Sequence, residues 1–221
     1  QLAAQFLRSP VEVQVAARNS AAATVRHVVH PVDGPRKRDL LQHLLAADSR
    51  RQTLVFSRTK HGADKIMKGL SAAGYTASAI HGNKSQANRE KALAGFKAGK
   101  ILVLVATDIA ARGIDVDGVS HVINYDLPHV PESYVHRIGR TARAGAEGVA
   151  IAFCAGDERS LLKDIERTIR QSIPVVQHAL GKANLPPAAN GSRRPNGRPS
   201  QPQGQKRQWN PMGRGGGKPS G

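Results

Sequence analysis

Three arginines and a histidine stand within eight residues of the segment "HRIGRTARAG" (136–145): His136, Arg137, Arg140 and Arg143, with Glu132 and Glu147 the only nearby carboxylates. If the helix that begins there continued, His136, Arg140 and Arg143 would fall at i, i+4 and i+7 and share a face. Like charges so placed repel by about 0.2–0.5 kcal/mol per pair. Such a concentration is expected to meet an anion, and the planar guanidinium fork suits phosphate in a way that a lysine ammonium does not.

Two further segments have residue types suited to the same ligand chemistry. In "ILVLVATDIAARGIDV" (101–116) an apolar run leads into Thr107 and Asp108, then Arg112, Gly113 and Asp115. Thr107 or Asp108 could serve simply as a helix cap, but capping does not account for the rest. Gly113 permits close backbone approach, Arg112 offers charge, and Asp115 can accept hydrogen bonds from hydroxyls such as those of a ribose. In "AIHGNKSQANREKAL" (79–93), Gln86 and Arg89 lie three apart at a helix start. Backbone N–H groups there, with Arg89, suit a phosphate of a strand lying across a sheet edge, although a solvated helix face is the plainer alternative.

The elements that must position these residues alternate along the chain. "TLVFS" (53–57), "ASAIH" (77–81), "ILVLVAT" (101–107), "SHVINYD" (120–126) and "GVAIAFC" (148–154) are short β-rich apolar runs, and "TVRHVVHPVDG" holds a further strand. Helical patterns lie between them at about 60–73, 85–98, 131–138 and 157–170, the last with Leu161, Leu162, Ile165 and Ile169 on one stripe. "PRKRDLLQHLLAA" adds another, with Leu40, Leu41, Leu44 and Leu45 inward and Pro35 in its first turn. The alternation predicts an α/β fold, a parallel sheet with helices on both faces, with ligands at the carboxyl ends of the strands. Residues 1–23 read as an arm or linker, 24–180 as the folded domain, and 181–221, rich in Gly, Pro and Arg, as a disordered basic tail.

Charge narrows the class of partner. Lys and Arg number 33 against 16 Asp and Glu, a net charge of +17, and residues 167–221 hold ten of those cations with no acid. That balance favours a polyanion, nucleic acid first. A membrane partner is not expected, because no apolar run is long enough to span a bilayer and no signal-peptide pattern opens the chain. The single Cys154 cannot form an internal disulfide, which fits a reducing, cytoplasmic setting. The nine histidines lack metal-ligand spacing, and no metal site is assigned.

Taken in order and spacing, "TLVFSRTKHGADKI", "AIHGNKSQANREKALAGFK", "ATDIAARGIDV", "HVINYDLP" and "YVHRIGRTARAG" resemble the second, C-terminal RecA-like domain of DEAD-box ATP-dependent RNA helicases, in particular the bacterial RhlE-type branch. The resemblance spans about residues 25–170, and "LAAQFLRSPVEVQV" is similar to the end of the family's first domain and its linker. The family's P-loop and Asp-Glu-Ala-Asp segment belong to that first domain and are not among these 221 residues. By resemblance, Arg140 and Arg143 are the arginine fingers that reach ATP in an interdomain cleft, and His136 and Arg137 brace that motif against the partner domain. Asp115 and Gly113 lie on the ATP side. Thr59, Gly82, Gln86, Arg89, Thr107, Arg112 and Gly113 fall where the family holds the RNA backbone. ATP with Mg2+, held mainly by the first domain, is the implied cofactor. RNA, the first domain in cis, and ribonucleoprotein or RNA-decay proteins are the implied partners.

The resemblance implies unwinding of short duplexes by the two-domain parent and no activity from this stretch alone. Two departures stand out. Ala142 occupies a position where many members have Gly, a change read as one added methyl that activity survives, and Arg58 replaces an acid found in some relatives. A stand-alone RNA-binding module run by the basic tail is the competing class, and a DNA helicase of the same superfamily is disfavoured by the "QANR" and "HRIGRTARAG" segments.

Overall fold

The apolar runs form six parallel strands in a computed structural model, which describes residues 25–47, 52–111, 116, 118–142 and 148–178. They are β1 (Val25–Pro31), β2 (Thr53–Phe56), β3 (Ala77–Ile80), β4 (Val103–Ala106), β5 (His121–Asn124) and β6 (Gly148–Cys154). Their order is β1-β6-β5-β2-β4-β3, every pairing parallel. The connecting helices are α1 (Lys37–Ala47), α2 (Lys60–Ala72), α3 (Gln86–Lys97), α4 (Asp108–Ala111), α5 (Pro131–Ile138) and α6 (Arg159–Ile169). The chain divides into two units, Gln1–Pro186 and Pro187–Gly221, and every described residue belongs to the first. The expected arm 1–23 and tail 181–221 lie outside the described residues.

A parallel sheet must be covered on both faces, and the strand sequences supply apolar residues at period two for each. Val55, Val103, Val105, Ile123 and Phe153 point to one face, where Leu40, Leu41 and Leu45 of α1 and Ile66 and Leu70 of α2 cover them. On the other face Leu54, Phe56, Leu104 and Val122 meet Phe96 of α3, while Ala150, Ala152 and Cys154 meet Tyr134 and Ile138 of α5 and Ile165 and Ile169 of α6. Thr59 and Ser85 cap α2 and α3 by accepting from the Gly62 and Asn88 amides at 3.0 and 3.3 Å, each cap contributing about 1 kcal/mol.

Beyond α6 the chain returns to the sheet. The Val29 amide donates to Pro174 O and the Val176 amide to Val29 O, both at 2.9 Å, so this segment runs beside β1. No helix among the described residues is long and apolar enough to cross a membrane.

One expectation needs correction: the last helical pattern begins as a 3-10 turn, Gly156–Glu158, before α6. The helix expected at 131–138 is α5 with those bounds, and because it stops at Ile138, His136 and Arg140 do not share a helical face. Thr141 is drawn into a parallel bridge with Val119, its hydroxyl donates to Val119 O, and Ala142 takes φ +52°. A side chain at Gly148 would strike Thr141 Oγ1 and the Ala142 amide, so this glycine permits the turn to lie against β6.

Candidate functional site

Because β2 lies between β4 and β5, the segments leaving these strands emerge side by side at one sheet edge. The largest fully buried side chain there is that of Arg137 in α5, 2% exposed. Its Nε and Nη2 donate to the two carboxylate oxygens of Asp108 at 2.6 and 2.7 Å, and Nη1 donates to Asn124 Oδ1 at 2.9 Å and Asp126 O at 2.7 Å. Its guanidinium also lies 4.9 Å from the Phe56 ring centroid. The contacts therefore join α5 to the ends of β2, β4 and β5, and they turn Arg137 inward rather than toward another domain. A bidentate, charge-assisted pair of this kind fixes geometry as well as contributing energy.

A second polar knot lies beside it. Glu158 is buried and saturated: Oε1 accepts from Arg58 Nη2 at 2.7 Å and the Leu127 amide at 3.3 Å, and Oε2 accepts from Lys37 Nζ at 2.7 Å and the Ala155 amide at 3.1 Å. Lys37 also donates to Tyr125 O at 2.8 Å. Burial and the neighbouring Asp126 carboxylate push the Tyr125 phenol up to about 12. Arg58, the departure noted above, thus ties the β2 exit to the 3-10 turn preceding α6.

Toward the β3 edge, His81 Nδ1 accepts from the Asn83 amide at 3.3 Å, and its Nε2 lies 3.0 Å from Asp64 of α2. Lys84 reaches the same carboxylate at 2.9 Å. Burial works to raise the Asp64 pKa, but His81 and Lys84 outweigh it and the net direction is down. The loop containing Gly82, which is exposed, is therefore pinned to α2. On α3, Gln86 Oε1 accepts from Arg89 Nη1 at 3.3 Å, Gln86 Nε2 donates to Glu90 at 2.8 Å, and Arg89 Nη2 approaches Ala110 O of α4 at 3.5 Å. Arg89 Nε is buried without a hydrogen-bond partner.

Thr59, Gly82, Gln86, Arg89 and Thr107 thus all occur in segments that leave β2, β3 and β4 at this edge. Arg140 sits in the turn after α5 and, with His136, Arg137, Asp108 and Ala111, lines a cavity of about 30 Å³. Ile109, next in the chain after the lining Asp108, is 83% exposed. Arg112, Gly113, Asp115 and Arg143 lie outside the described residues. Sequence reasoning missed Asp108 as the partner of Arg137 and the Lys37–Arg58–Glu158 knot. Neither has a spacing signature, since the pairs are separated by 29, 121 and 100 residues. No group of three or more possible metal ligands occurs among the described residues.

Residues 36–145 match the profile of the helicase conserved C-terminal domain. The chain is 44% identical over 185 residues to the DEAD-box ATP-dependent RNA helicase CshA of Bacillus subtilis, covering 81% of this chain and 37% of that protein. The identity is also 44% over 173 residues to ATP-dependent RNA helicase CshA of Listeria monocytogenes, covering 78% and 33%. The chain thus spans about a third of the length of these curated relatives. Among solved structures, the DEAD-box protein SrmB of E. coli, bound to the regulator of ribonuclease activity RraA, superposes with a TM-score of 0.66 at 37% identity, covering 69% of this chain and 90% of that one. A DEAD box protein from Methanococcus jannaschii gives 0.67 at 40% identity, covering 71% and 43%. Dbp5 of S. cerevisiae bound to RNA and ADP BeF3 gives 0.70 at 28%, covering 80% and 47%. With the parallel sheet, the motif-bearing strand exits and a relative matched over nine-tenths of its length, the chain belongs to the DEAD-box helicase family, as its C-terminal RecA-like domain.

Proposed function

We propose that this domain works as one half of an ATP-dependent RNA helicase, closing with a first RecA-like domain over ATP and RNA. The observation that carries the reading is the convergence at one sheet edge of the segments after β2, β3 and β4, with Arg140 of the turn after α5 lining a cavity with Phe56 and Asp108 of those exits. Arg140 and Arg143 are the arginines directed at the ATP phosphates, with Gly113 and Asp115 on the nucleotide side. Thr59, Gly82, Gln86, Arg89, Thr107, Arg112 and Gly113 hold the sugar-phosphate backbone of RNA.

The donor set suits an anionic phosphate group rather than enclosing a whole nucleotide: Arg140 and His136 line the small cavity, while the nearby Asp108 carboxylate is already held by Arg137. ATP supplies the phosphoanhydride whose cleavage resets the closed state, and Mg2+ is held mainly by the first domain. Arg137 braces the turn that presents Arg140. Charge spread over the equatorial oxygens of a transferring phosphoryl group is what a cross-domain arginine stabilises, by about 10³–10⁵ in rate in related chemistry. The reading places the protein in the cytoplasm, consistent with Cys154, a buried free thiol whose pKa burial and Glu158 push up to about 11.

Joining the chain to a first RecA-like domain of a close relative tests the proposal. RNA-stimulated ATP hydrolysis is expected from the joined protein and none from the 221-residue chain. Robust RNA-stimulated hydrolysis by the chain alone, or none by a folded joined protein, contradicts it.

A further inference from the structure

A cavity of about 400 Å³ opens between α1 and α2, at the ends of β2 and β5; it borders the family segments at Ser57, Gly62, Lys65, Tyr125 and Asp126, but none of its residues is among the ATP- or RNA-binding positions named above. Arg38 of α1 and Lys65 of α2 line it, together with Ser57, Gly62, Tyr125 and Asp126. Both cations are exposed, and Arg38 has only a loose approach of 3.9 Å to Asp39, itself exposed. The lining carboxylate does not compete for them: Asp126 accepts from Ser57 Oγ at 3.1 Å and the Arg58 amide at 3.0 Å, and Lys37 Nζ lies 3.4 Å away.

Tyr125 gives the cavity a held aromatic wall. Its ring centroid lies 5.7 Å from that of Phe153 and 5.6 Å from Lys37 Nζ. At its other end the cavity meets the expected RNA lane, because Gly62 lines it and donates its amide to Thr59 Oγ1. The volume is within the range of pockets that take small ligands. Two cations, a fixed ring and continuity with a backbone-binding lane match one nucleotide of a single strand, held at the phosphate by charge and at the base by stacking.

We propose that the cavity is an additional RNA subsite, taking the nucleotide next to those held at Thr59, Gly82, Gln86 and Arg89, with its phosphate between Arg38 and Lys65 and its base against Tyr125. The inference rests on the RNA-binding reading above, and the control below separates the two.

The test measures binding of oligouridines of increasing length to the full 221-residue chain by fluorescence anisotropy across a salt series, for the wild type, the double variant Arg38→Gln/Lys65→Gln and the variant Arg89→Gln. Loss of two phosphate contacts on a single strand is expected to flatten the salt slope by about 1.4 and weaken binding on the order of tenfold near 0.1 M salt. The double variant is also expected to lose the affinity that the wild type gains when the oligomer grows long enough to reach the cavity. If Arg89→Gln weakens binding and the double variant does not, the subsite is overturned while the lane stands. If neither variant changes binding, both readings fall. If the double variant weakens uridine monophosphate as much as the longest oligomer, the cavity is a free-nucleotide site and the RNA subsite is overturned.

Discussion

Helix α5 and the turn that follows it carry arginines only three residues apart, and the two are placed for different work. Arg137, in the helix, is enclosed: four hydrogen bonds to Asp108, Asn124 and Asp126 and the Phe56 ring account for its guanidinium. Arg140, in the turn, is half-buried and lines a cavity at the sheet edge. A motif that reads in sequence as one block of positive charge is divided by the point at which the helix stops. Buried arginine holds the strand exits in register, whereas the arginine beyond the helix is presented on a surface those exits define. Charge that looks excessive along the chain is therefore partly internal framework.

The sharpest way to break this division is Arg137→Ala. Removing one partner of a buried, hydrogen-bonded pair leaves Asp108 and Asn124 without their donor, and a cost of about 3–5 kcal/mol is expected. For a domain of this size that lowers the melting temperature by about 10 °C or more. Arg137→Lys, which keeps the charge but not the fork, is expected to recover only part of it. A melting temperature unchanged in Arg137→Ala would show that the network is not part of the framework.

A smaller effect concerns the far edge of the sheet, where the segment after α6 lies beside β1. Burial, then the neighbouring His178, lowers the pKa of His30, against a hydrogen bond with the Val176 backbone that raises it. A histidine whose folded pKa lies below its unfolded value of about 6.5 binds protons more readily when unfolded. Its contribution to stability is thus present above that pH and is lost as the pH falls through the lowered folded value. Denaturant titrations from pH 7 to about pH 5 should show falling stability in the wild type and a flatter profile in His30→Leu. Parallel profiles would exclude His30 as the source.

The smallest effect lies in the turn itself. Ala142 at φ +52° has a conformation that costs an L residue about 1–2 kcal/mol, partly offset by the partial burial of its methyl against the apolar cluster that includes α5 and α6. Ala142→Gly is expected to stabilise the domain by about 0.5 kcal/mol, read as a small rise in the denaturation midpoint. A loss of stability would mean that methyl packing outweighs backbone strain there.

How much of this was legible in the sequence follows from the range of each interaction. Period-two and period-3.6 apolar patterns are local, so β6 and α5 are found with the expected bounds and the other elements to within a few residues. The motif residues at strand ends are legible for the same reason, since a parallel sheet places every strand exit on one edge. Contacts such as Asp108 with Arg137, or Lys37 with Glu158, depend on which strands become neighbours, and crossover order is not encoded in any short spacing. Ala142 is a subtler case. Counting its methyl as a minor addition considers volume alone, whereas the turn imposes a backbone conformation in which that methyl is the source of strain.

The central claim is that Arg140 serves the nucleotide while Arg137 serves the fold, and the most direct test is Arg140→Ala in a joined two-domain protein, with turnover and melting measured on the same preparation. The account predicts RNA-stimulated turnover reduced by about 10³-fold or more with the melting temperature within about 2 °C of the parent, the pattern of a contact made chiefly in the transition state. Near-parental turnover in the folded variant, or a loss of activity that merely follows a fall in melting temperature, would contradict it.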